Sequence, residues 1–449
     1  MNLIHDIKAR PGFGKTVLFA IQQLLAIMAA TIAVPAIVGN GLSASAALFG
    51  AGVGTFVYLL FTKSSSPVFL GSSFAFIGSM FSAFGGAASL AVGYWGLIIG
   101  ALMAGLVYVI IAIIVKFCGV KWIDLLMPPV IIGPTVAIIG LSLSGNAIGD
   151  LMKSSVAGGS TYIALICGLL TLAVTMLCST YSKKIGRLIP FILGILAGYA
   201  LASVFALIGY VADKPALIVI NYASLKALDF GSLSGYLSLP KFTFLLGGVE
   251  GLKGITGSYL LTIFAAYVPV AFVVFAEHLA DHKNLSAIIG KNLLEEPGLT
   301  RTLLGDGVGT MVSTFFGGCP NTTYGESIGC VAITRNASTI TIWYCAVLCI
   351  LFSLISPLVA FLETIPSCVM GGVCVALYGF IAVSGFKMFQ KVDLNKNRNL
   401  FVASVIFITG VGGMVVSFGK VEIRTVACAL ILGILTNVML SKEKDEAAE

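Results

Sequence analysis

The stretches GSSFAF (residues 71–76) and GGCPNTTYGE (residues 317–326) each interrupt a long apolar run of this sequence. Both contain glycine and small polar residues, and a proline accompanies each, Pro67 ahead of the first and Pro320 within the second. Non-helical backbone inside a membrane must be buried in protein or line a cavity, because lipid offers it no hydrogen-bond partner. If these runs cross a membrane, we expect two short strands that face each other, each leading into a half-helix. The alternative is a pair of helices kinked at glycine, without a site.

The composition places these runs in a membrane. Hydrophobic residues make up 58% of the 449 residues and charged residues only 10%, whereas a soluble protein carries about 25% charged residues. The mean hydropathy is +1.05. These values exclude an ordinary soluble enzyme, a disordered protein and a secreted disulfide scaffold. We therefore predict an all-α integral membrane protein with many spans.

Fourteen apolar runs predict spans, and the connection 212–256 divides them seven and seven. An odd number per half gives the second half, residues 257–449, the opposite orientation to the first, residues 1–211, as in an inverted repeat. The interrupted runs are third in each half, and paired interrupted spans point to a substrate site at the membrane midplane. The predicted spans are 16–38, 43–62, 66–84, 89–115, 126–146, 161–180, 188–211, 257–280, 302–316, 319–334, 339–361, 365–385, 399–418 and 424–441.

The basic residues predict the orientation. With both termini inside, only seven of the 26 Lys and Arg residues fall in outer loops, and the remaining 19 fall on the inner side. Such a bias marks the cytoplasmic side of a membrane protein. We expect a multi-pass protein of the inner (cytoplasmic) membrane with both termini in the cytoplasm and no nucleic-acid partner. The outer residues are Lys153, Lys214, Lys226, Lys241, Lys253, Lys420 and Arg424.

Several acidic residues lie within or beside apolar runs, where an ionisable side chain is costly and usually functional. Glu277 and Asp281 are four residues apart and so share a helix face, while Glu326 lies in the second interruption. A buried carboxylate without a cationic partner favours its protonated form, which suits proton coupling. The alternative is that Glu277 and Asp281 are solvated at a helix end. For Asp306 we expect a helix-packing or hydrogen-bonding role.

Catalytic and metal-binding motifs are missing from the sequence. It has no HExxH, no GxSxG and no Cys/His cluster, and His278 and His282 are too few for a metal site. Most of the ten cysteines lie in apolar runs and are expected to be free thiols. We therefore expect no enzymatic activity, no cofactor and no metal, with H⁺ as the coupling ion and the use of Na⁺ left open.

The order of these motifs resembles the nucleobase–ascorbate transporter family. The resemblance rests on Ala276-Glu277-His278, on NTTYGESIG (residues 321–329) with Thr334-Arg335, and on residues 71–76, 295–299 and 366–372. It extends from about Gln22 to the last span and is strongest to the bacterial branch that transports uracil. It implies a core domain (16–116 and 257–361) that holds the substrate, a gate domain (126–211 and 365–441), and a homodimer formed through the gate.

The resemblance also assigns roles to residues. Glu277 and Glu326 would hydrogen-bond two edges of a nucleobase, and the backbone N–H groups of Gly325 and Phe74 would meet its carbonyl groups. Asp281, together with Glu277, would couple protons. The implied substrate-binding residues are Glu277, Glu326, Phe74, Tyr324, Gly325 and Ser73.

Three positions depart from the family pattern. Ser327 stands where an amide is usual, and Gln22-Gln23 stands where Gln-His is common. Asp281 occupies a position where uracil transporters can have histidine and purine transporters often have aspartate. Glu326 favours uracil, since purine transporters tend to have an amide there.

The resulting expectation is import of uracil by proton symport. The first alternative is a xanthine or uric acid permease of the same family. An anion transporter or channel of the same fold is disfavoured, because two midplane carboxylates would repel an anion. A membrane enzyme is disfavoured because the sequence shows no nucleophile–base pair or metal set.

Overall fold

The computed structural model describes residues 3–119, 122, 127–183, 185–390, 392–418 and 421–441, and most of them are helical. The helices are α1 (Phe13–Val38), α2 (Ala44–Phe61), α3 (Ile77–Gly85), α4 (Leu90–Cys118), α5 (Pro129–Ser142), α6 (Ser144–Leu151), α7 (Thr161–Tyr181), α8 (Ile185–Leu188), α9 (Pro190–Val211), α10 (Ala223–Lys226), α11 (Thr243–Lys253), α12 (Gly257–Ile289), α13 (Leu299–Gly317), α14 (Gly325–Thr334), α15 (Thr339–Leu354), α16 (Ser356–Glu363), α17 (Ser367–Phe389), α18 (Asn397–Val411) and α19 (Thr425–Met439). The strands are β1 (Leu70–Ser72), β2 (Asn321–Thr323), β3 (Val416–Phe418) and β4 (Val421–Ile423).

Many of these helices are long and apolar enough to cross a membrane by themselves. Within the described residues there are eight, formed by α1, α2, α4, α5 with α6, α7, α9, α12 and α17. The other predicted spans coincide with α3, α13, α14, α15 with α16, α18 and α19, which are shorter or less apolar. The chain is a multi-pass helical membrane protein, and the total of fourteen spans stays a prediction.

The two interrupted spans meet each other as predicted. Strands β1 and β2 pair antiparallel, with Gly71 opposite Thr322. The pairing continues at both ends, because the Ser73 N–H donates to the Pro320 carbonyl at 2.8 Å and the Tyr324 N–H donates to the Phe69 carbonyl at 3.2 Å. This arrangement contradicts the alternative of two helices kinked at glycine.

Each strand leads into a half-helix, although the strands are shorter than the interruptions in the sequence. Residues 74–76 form a single 3₁₀ turn that connects β1 to α3, and Tyr324 alone separates β2 from α14. A proline ahead of each strand disfavours helix there, since it has no N–H and restricts the residue before it. The half-helices therefore begin at the crossing point, with their N-termini directed toward the same region.

The helices pack in two groups. The first contains α1–α4 and α11–α16, and the second contains α5–α7, α9 and α17–α19. The groups meet mainly where α1 touches α9 and where α12 touches α5, α19 and strand β4, which precedes α19. Counterparts in the two halves of the sequence also touch, since α2 packs on α13, β1 pairs with β2, and α5 packs on α17. The core and gate roles of these groups remain predictions.

Two predicted boundaries differ most from the observed helix ends. The eighth span was expected to end at residue 280, but α12 continues to Ile289 and places Asp281 in mid-helix. The thirteenth was expected to reach residue 418, but α18 ends at Val411 and a β3–β4 hairpin follows. Some basic residues of the predicted charge bias lie outside the described residues, and these are Lys121, Lys184, Lys391, Lys420, Lys442 and Lys444.

The crossing is close enough to require glycine at one position. A Cβ atom on Gly71 would overlap the Tyr324 ring, which lies over β1 and donates from its hydroxyl to the Ser72 carbonyl at 2.7 Å. Both Gly71 and Tyr324 are buried. The side chain after β2 therefore holds the backbone of β1 in place.

We predict that Gly71→Ala lowers the free energy of unfolding by about 1–3 kcal/mol, because the added methyl group displaces a buried ring in a packed region. Thermal unfolding of the purified protein in detergent measures this change. Gly78→Ala is the matched control, since a Cβ on Gly78 meets nothing within 4 Å. Equal melting temperatures for the two variants would contradict the prediction.

Candidate substrate-binding site

A cavity of about 310 Å³ lies beside the strand crossing, between the two groups of helices. Every residue predicted for substrate binding or proton coupling lines it, namely Ser73, Phe74, Glu277, Asp281, Tyr324, Gly325 and Glu326. The opposite wall is mainly apolar and comes from α5, α9 and α17, through Val136, Phe191, Leu377, Phe380, Ile381, Ser384 and Met388. The cavity is thus shared between the two groups.

Helix α12 presents different side chains on two faces. Glu277 and Asp281 line the cavity one helical turn apart. His278 and His282 lie on the other side and are completely or almost completely buried. Since α12 runs eight residues past Asp281, to Ile289, the alternative that these acids lie at a helix end is wrong. Both residues are half-buried.

Backbone donors stand opposite the carboxylates. Gly325 and Glu326 open helix α14, and the first N–H groups of a helix have no partner within it. The N-terminus of a helix also carries a partial positive charge. The cavity therefore combines carboxylate acceptors with N–H donors, which suits a planar ligand that has both N–H and carbonyl groups.

Side chains of α12 and α13 form hydrogen bonds with the residues of strand β2. The Thr323 hydroxyl donates to Asp281 Oδ2 at 2.7 Å, and the Thr322 hydroxyl donates to Asp306 Oδ2 at 3.3 Å. The Thr310 hydroxyl donates to the Asn321 carbonyl at 2.6 Å. The hydrogen-bonding role predicted for Asp306 is thus present, and it connects α13 to the residues that line the cavity.

Asp306 also contacts a buried histidine, which the sequence did not indicate. His278 Nδ1 lies 2.7 Å from Asp306 Oδ2, and His278 Nε2 lies 3.0 Å from the Thr302 hydroxyl. That hydroxyl donates to the Leu299 carbonyl at 3.1 Å, so its oxygen accepts the Nε2 proton. One proton must then lie between Nδ1 and Oδ2. A histidine and an aspartate in neighbouring apolar runs were the only signal for this pair.

Ser327, one of the departures from the family pattern, has a structural role. Its hydroxyl oxygen accepts a hydrogen bond from the Phe69 N–H at 3.0 Å and a short one from the Gln23 side-chain amide. Ser327 is fully buried and does not line the cavity. It joins α1, α14 and the chain just before β1.

A multi-span helical fold with two broken spans that cross, and a polar cavity at the crossing, defines a secondary membrane transporter. A family model described as the permease family matches residues 14–418. The chain belongs to this family, the nucleobase–ascorbate transporters, and it is a permease and not an enzyme.

Its relatives match over nearly their whole length. The uracil permease of Bacillus caldolyticus is 37% identical, with 99% of this chain and 96% of the relative covered. The uracil permease of Escherichia coli K12 is 36% identical, with 95% of this chain and 92% of the relative covered. The putative pyrimidine permease RutG of the same organism is 28% identical, with 97% and 91% covered.

Solved structures share the fold at low sequence identity. The transmembrane domain of the cyanobacterial bicarbonate transporter BicA matches with a TM-score of 0.60 and 15% identity, over 96% of this chain and 99% of that one. The murine anion transporter Slc26a9 matches with a TM-score of 0.60 and 13% identity, over 97% of this chain and 69% of that one. The likeness confirms the predicted inverted-repeat fold.

We predict that Ser327→Ala lowers the free energy of unfolding of the ligand-free protein by about 1–3 kcal/mol, because two buried donors lose their acceptor. Ser73→Ala is the matched control, since the buried Ser73 hydroxyl has no hydrogen-bond partner. The control should change the value by less than about 0.5 kcal/mol. Denaturation in detergent compares the two, and a larger loss for Ser73→Ala would contradict the assignment.

Proposed function

We propose that this permease imports uracil across the cytoplasmic membrane by proton symport. The observation that carries the proposal is the set of three carboxylates, Glu277, Asp281 and Glu326, that line one cavity with the N-terminus of α14. Among the described residues no Lys or Arg lines this cavity. The similarity to uracil permeases over nearly the whole chain supports the same substrate.

The chemistry of the cavity matches a neutral pyrimidine. Uracil has two ring N–H donors and two carbonyl acceptors. Glu277 and Glu326 supply acceptors, and the N–H groups of Gly325 and Phe74 supply donors. Hydrogen bonds to an ionised group contribute about 1.5–3 kcal/mol each. The rings of Phe74 and Tyr324 provide an apolar surface against which the base excludes water.

The absence of a cation among the described lining residues motivates proton coupling. Three carboxylates close together in a low-dielectric site repel one another when ionised, and burial disfavours each charge. A proton on at least one of them relieves the repulsion and leaves the others as acceptors for a neutral base. Asp281 is the proposed coupling residue, because its link to Thr323 transmits its charge state to β2.

The orientation of the protein in the membrane is part of the same proposal. With both termini in the cytoplasm, the N-terminus of α19 and the connection 212–256 face outward, and external protons reach the cavity from that side. Uptake should therefore rise as external pH falls. A homodimer through the gate helices stays a prediction from the family resemblance.

The first experiment is uptake of labelled uracil by cells that lack their own uracil carrier. We expect uptake that collapses with a protonophore and persists with excess unlabelled xanthine. Cells with the empty vector provide the background. Uptake that xanthine blocks, or no uracil uptake by cells that contain the folded protein, would contradict the proposal. Either result would favour a xanthine or uric acid permease of the same family.

Two variants separate binding from coupling. Glu277→Ala should weaken uracil binding to purified protein by roughly 10- to 100-fold, because a charge-assisted hydrogen bond is lost. Asp281→Asn should leave binding within about threefold and make uptake insensitive to external pH. Calorimetric binding and pH-dependent uptake measure the two effects. Wild-type affinity in Glu277→Ala, or a wild-type pH profile in Asp281→Asn, would refute the assigned role.

A further inference from the structure

Two more cavities lie on the far side of Phe74 from the substrate cavity. We call the first, of about 240 Å³, the antechamber; it lies between α3, α12, the junction of α5 with α6, and the first turn of α19. We call the second, of about 440 Å³, the vestibule; it lies between the C-terminal end of α3 and the first turns of α4 and α12. The two share Ser82 and Arg424 in their linings.

Phe74 separates the antechamber from the substrate cavity. It lines both of them, and its side chain is almost fully buried. Its ring packs edge-on against Tyr378 of α17, with the ring centroids 5.7 Å apart. The Phe74 ring therefore lies at the boundary of the two cavities, and its contact with Tyr378 joins the two groups of helices there.

The inverted repeat identifies the antechamber as the opposite access route. The first turn of α9 lines the substrate cavity through Phe191, and the first turn of α19 lines the antechamber through Val426. These helices are the last of each repeat. In the same way the C-terminal half of α17 lines the substrate cavity and the C-terminal end of its counterpart α5 lines the antechamber, while Val136, farther from that end of α5, lines the substrate cavity. The proposed orientation puts the antechamber on the outer side.

The antechamber has a different chemistry from the substrate cavity. Arg424 is the one charged side chain that lines the antechamber or the vestibule in the described part of the chain. A methyl group on Gly85 would lie 4.0 Å from an Nη atom of Arg424, so the guanidinium reaches the end of α3 where the two cavities adjoin. Ser142 and Asn146 add neutral polar groups, and Phe81 adds an aromatic wall.

The walls of the antechamber are held by hydrogen bonds. The Ser79 hydroxyl donates to the Ala266 carbonyl at 2.6 Å and so joins α3 to α12. The Tyr259 hydroxyl donates to the Ala83 carbonyl at 2.6 Å near the vestibule. These bonds fix α3, and the guanidinium of Arg424 reaches the end of α3 from the N-cap position of α19. A guanidinium in this place is a good donor to a carbonyl oxygen.

We propose that the antechamber is a second, weaker binding site for a neutral planar heterocycle with carbonyl groups, occupied before Phe74 moves. The proposal rests on the proposed function for the identity of the ligand. Arg424 donates to a ring carbonyl, Phe74 and Phe81 contact the ring, and no carboxylate is required, so this step is independent of the proton. The carboxylate site binds the base after it passes Phe74.

The first test compares kinetics with equilibrium binding. Arg424→Gln should raise the KM for external uracil about tenfold, the loss expected for one charge-assisted hydrogen bond, and leave the Kd of purified protein within about twofold. The KM of Arg424→Lys should lie between those of the wild type and Arg424→Gln, because lysine keeps the positive charge but lacks the planar guanidinium group. Lys253→Gln is the matched control, since Lys253 is an exposed cation on the same predicted side. An unchanged KM in Arg424→Gln would overturn the proposal.

The second test detects occupancy directly. Ser142→Cys places a thiol in the antechamber, with Cys118 and Cys178 replaced by serine because the other native cysteines are buried. We expect uracil to slow labelling by a membrane-impermeant maleimide, and the protection to persist at higher uracil concentration when Glu277→Ala is added. Protection that disappears with Glu277→Ala would show that only the carboxylate site is occupied and would overturn the inference.

The outcomes also separate this inference from the proposed function. A wild-type protein that neither binds nor transports uracil refutes the proposed function itself. A wild-type protein that transports uracil, with no change of KM in Arg424→Gln and no protection in the Glu277→Ala background, refutes the antechamber alone. If Arg424→Gln does not fold, the labelling experiment decides the question without it.

Discussion

The antiparallel pairing of Leu70–Ser72 with Asn321–Thr323 is the interaction on which the rest of this structure depends. Six residues form the two strands at membrane depth, where each unpaired backbone group would cost several kcal/mol. The two strands satisfy each other, and neighbouring side chains satisfy what remains: the Thr55 hydroxyl accepts from the Leu70 N–H at 3.0 Å, and the Ser327 hydroxyl accepts from Phe69. Because the pair is short, a half-helix begins next to each strand, and the N-terminus of α14 opens into the substrate cavity.

The same constraint organises the side chains around the crossing. Helix α12 turns its carboxylates to the cavity and its histidines to the interior, so that Asp281 and the His278–Asp306 pair each hold a threonine of β2. Strand β2, which leads into the N-terminus of α14, is thus attached to acidic residues of α12 and α13. A change of charge at either attachment has a direct mechanical path to the crossing.

The comparisons show how little the fold alone says about the substrate. A bicarbonate transporter and an anion transporter share this architecture at 15% and 13% identity, while the uracil permeases of Bacillus caldolyticus and Escherichia coli share both the family and 37% and 36% of the residues. A common scaffold hosts different sites. In this chain the acids at the crossing supply hydrogen-bond acceptors to the substrate cavity, whereas Arg424 supplies donors to the antechamber and the vestibule. The substrate cavity and the antechamber thus differ in their side chains, although the backbone arrangement repeats between the two halves of the chain.

Composition and the spacing of apolar residues are properties of short stretches of sequence, and they predicted the features that such stretches contain. They predicted a helical membrane protein, an inverted seven-plus-seven plan and the two broken spans. They also singled out the acids Glu277, Asp281 and Glu326, and the structure brings these three side chains to one cavity. The family resemblance added Phe74, Tyr324, Gly325 and Ser73. The tertiary structure alone decided the partners of buried groups: Gln23 with Ser327, 304 residues apart, His278 with Asp306, and Gly71 beneath Tyr324. It also decided that α12 continues past Asp281 and that Ser327 supports the scaffold. The type of a residue determines which hydrogen bonds it is able to make. Which atom it meets depends on how distant helices pack, and no single stretch of the chain contains that information.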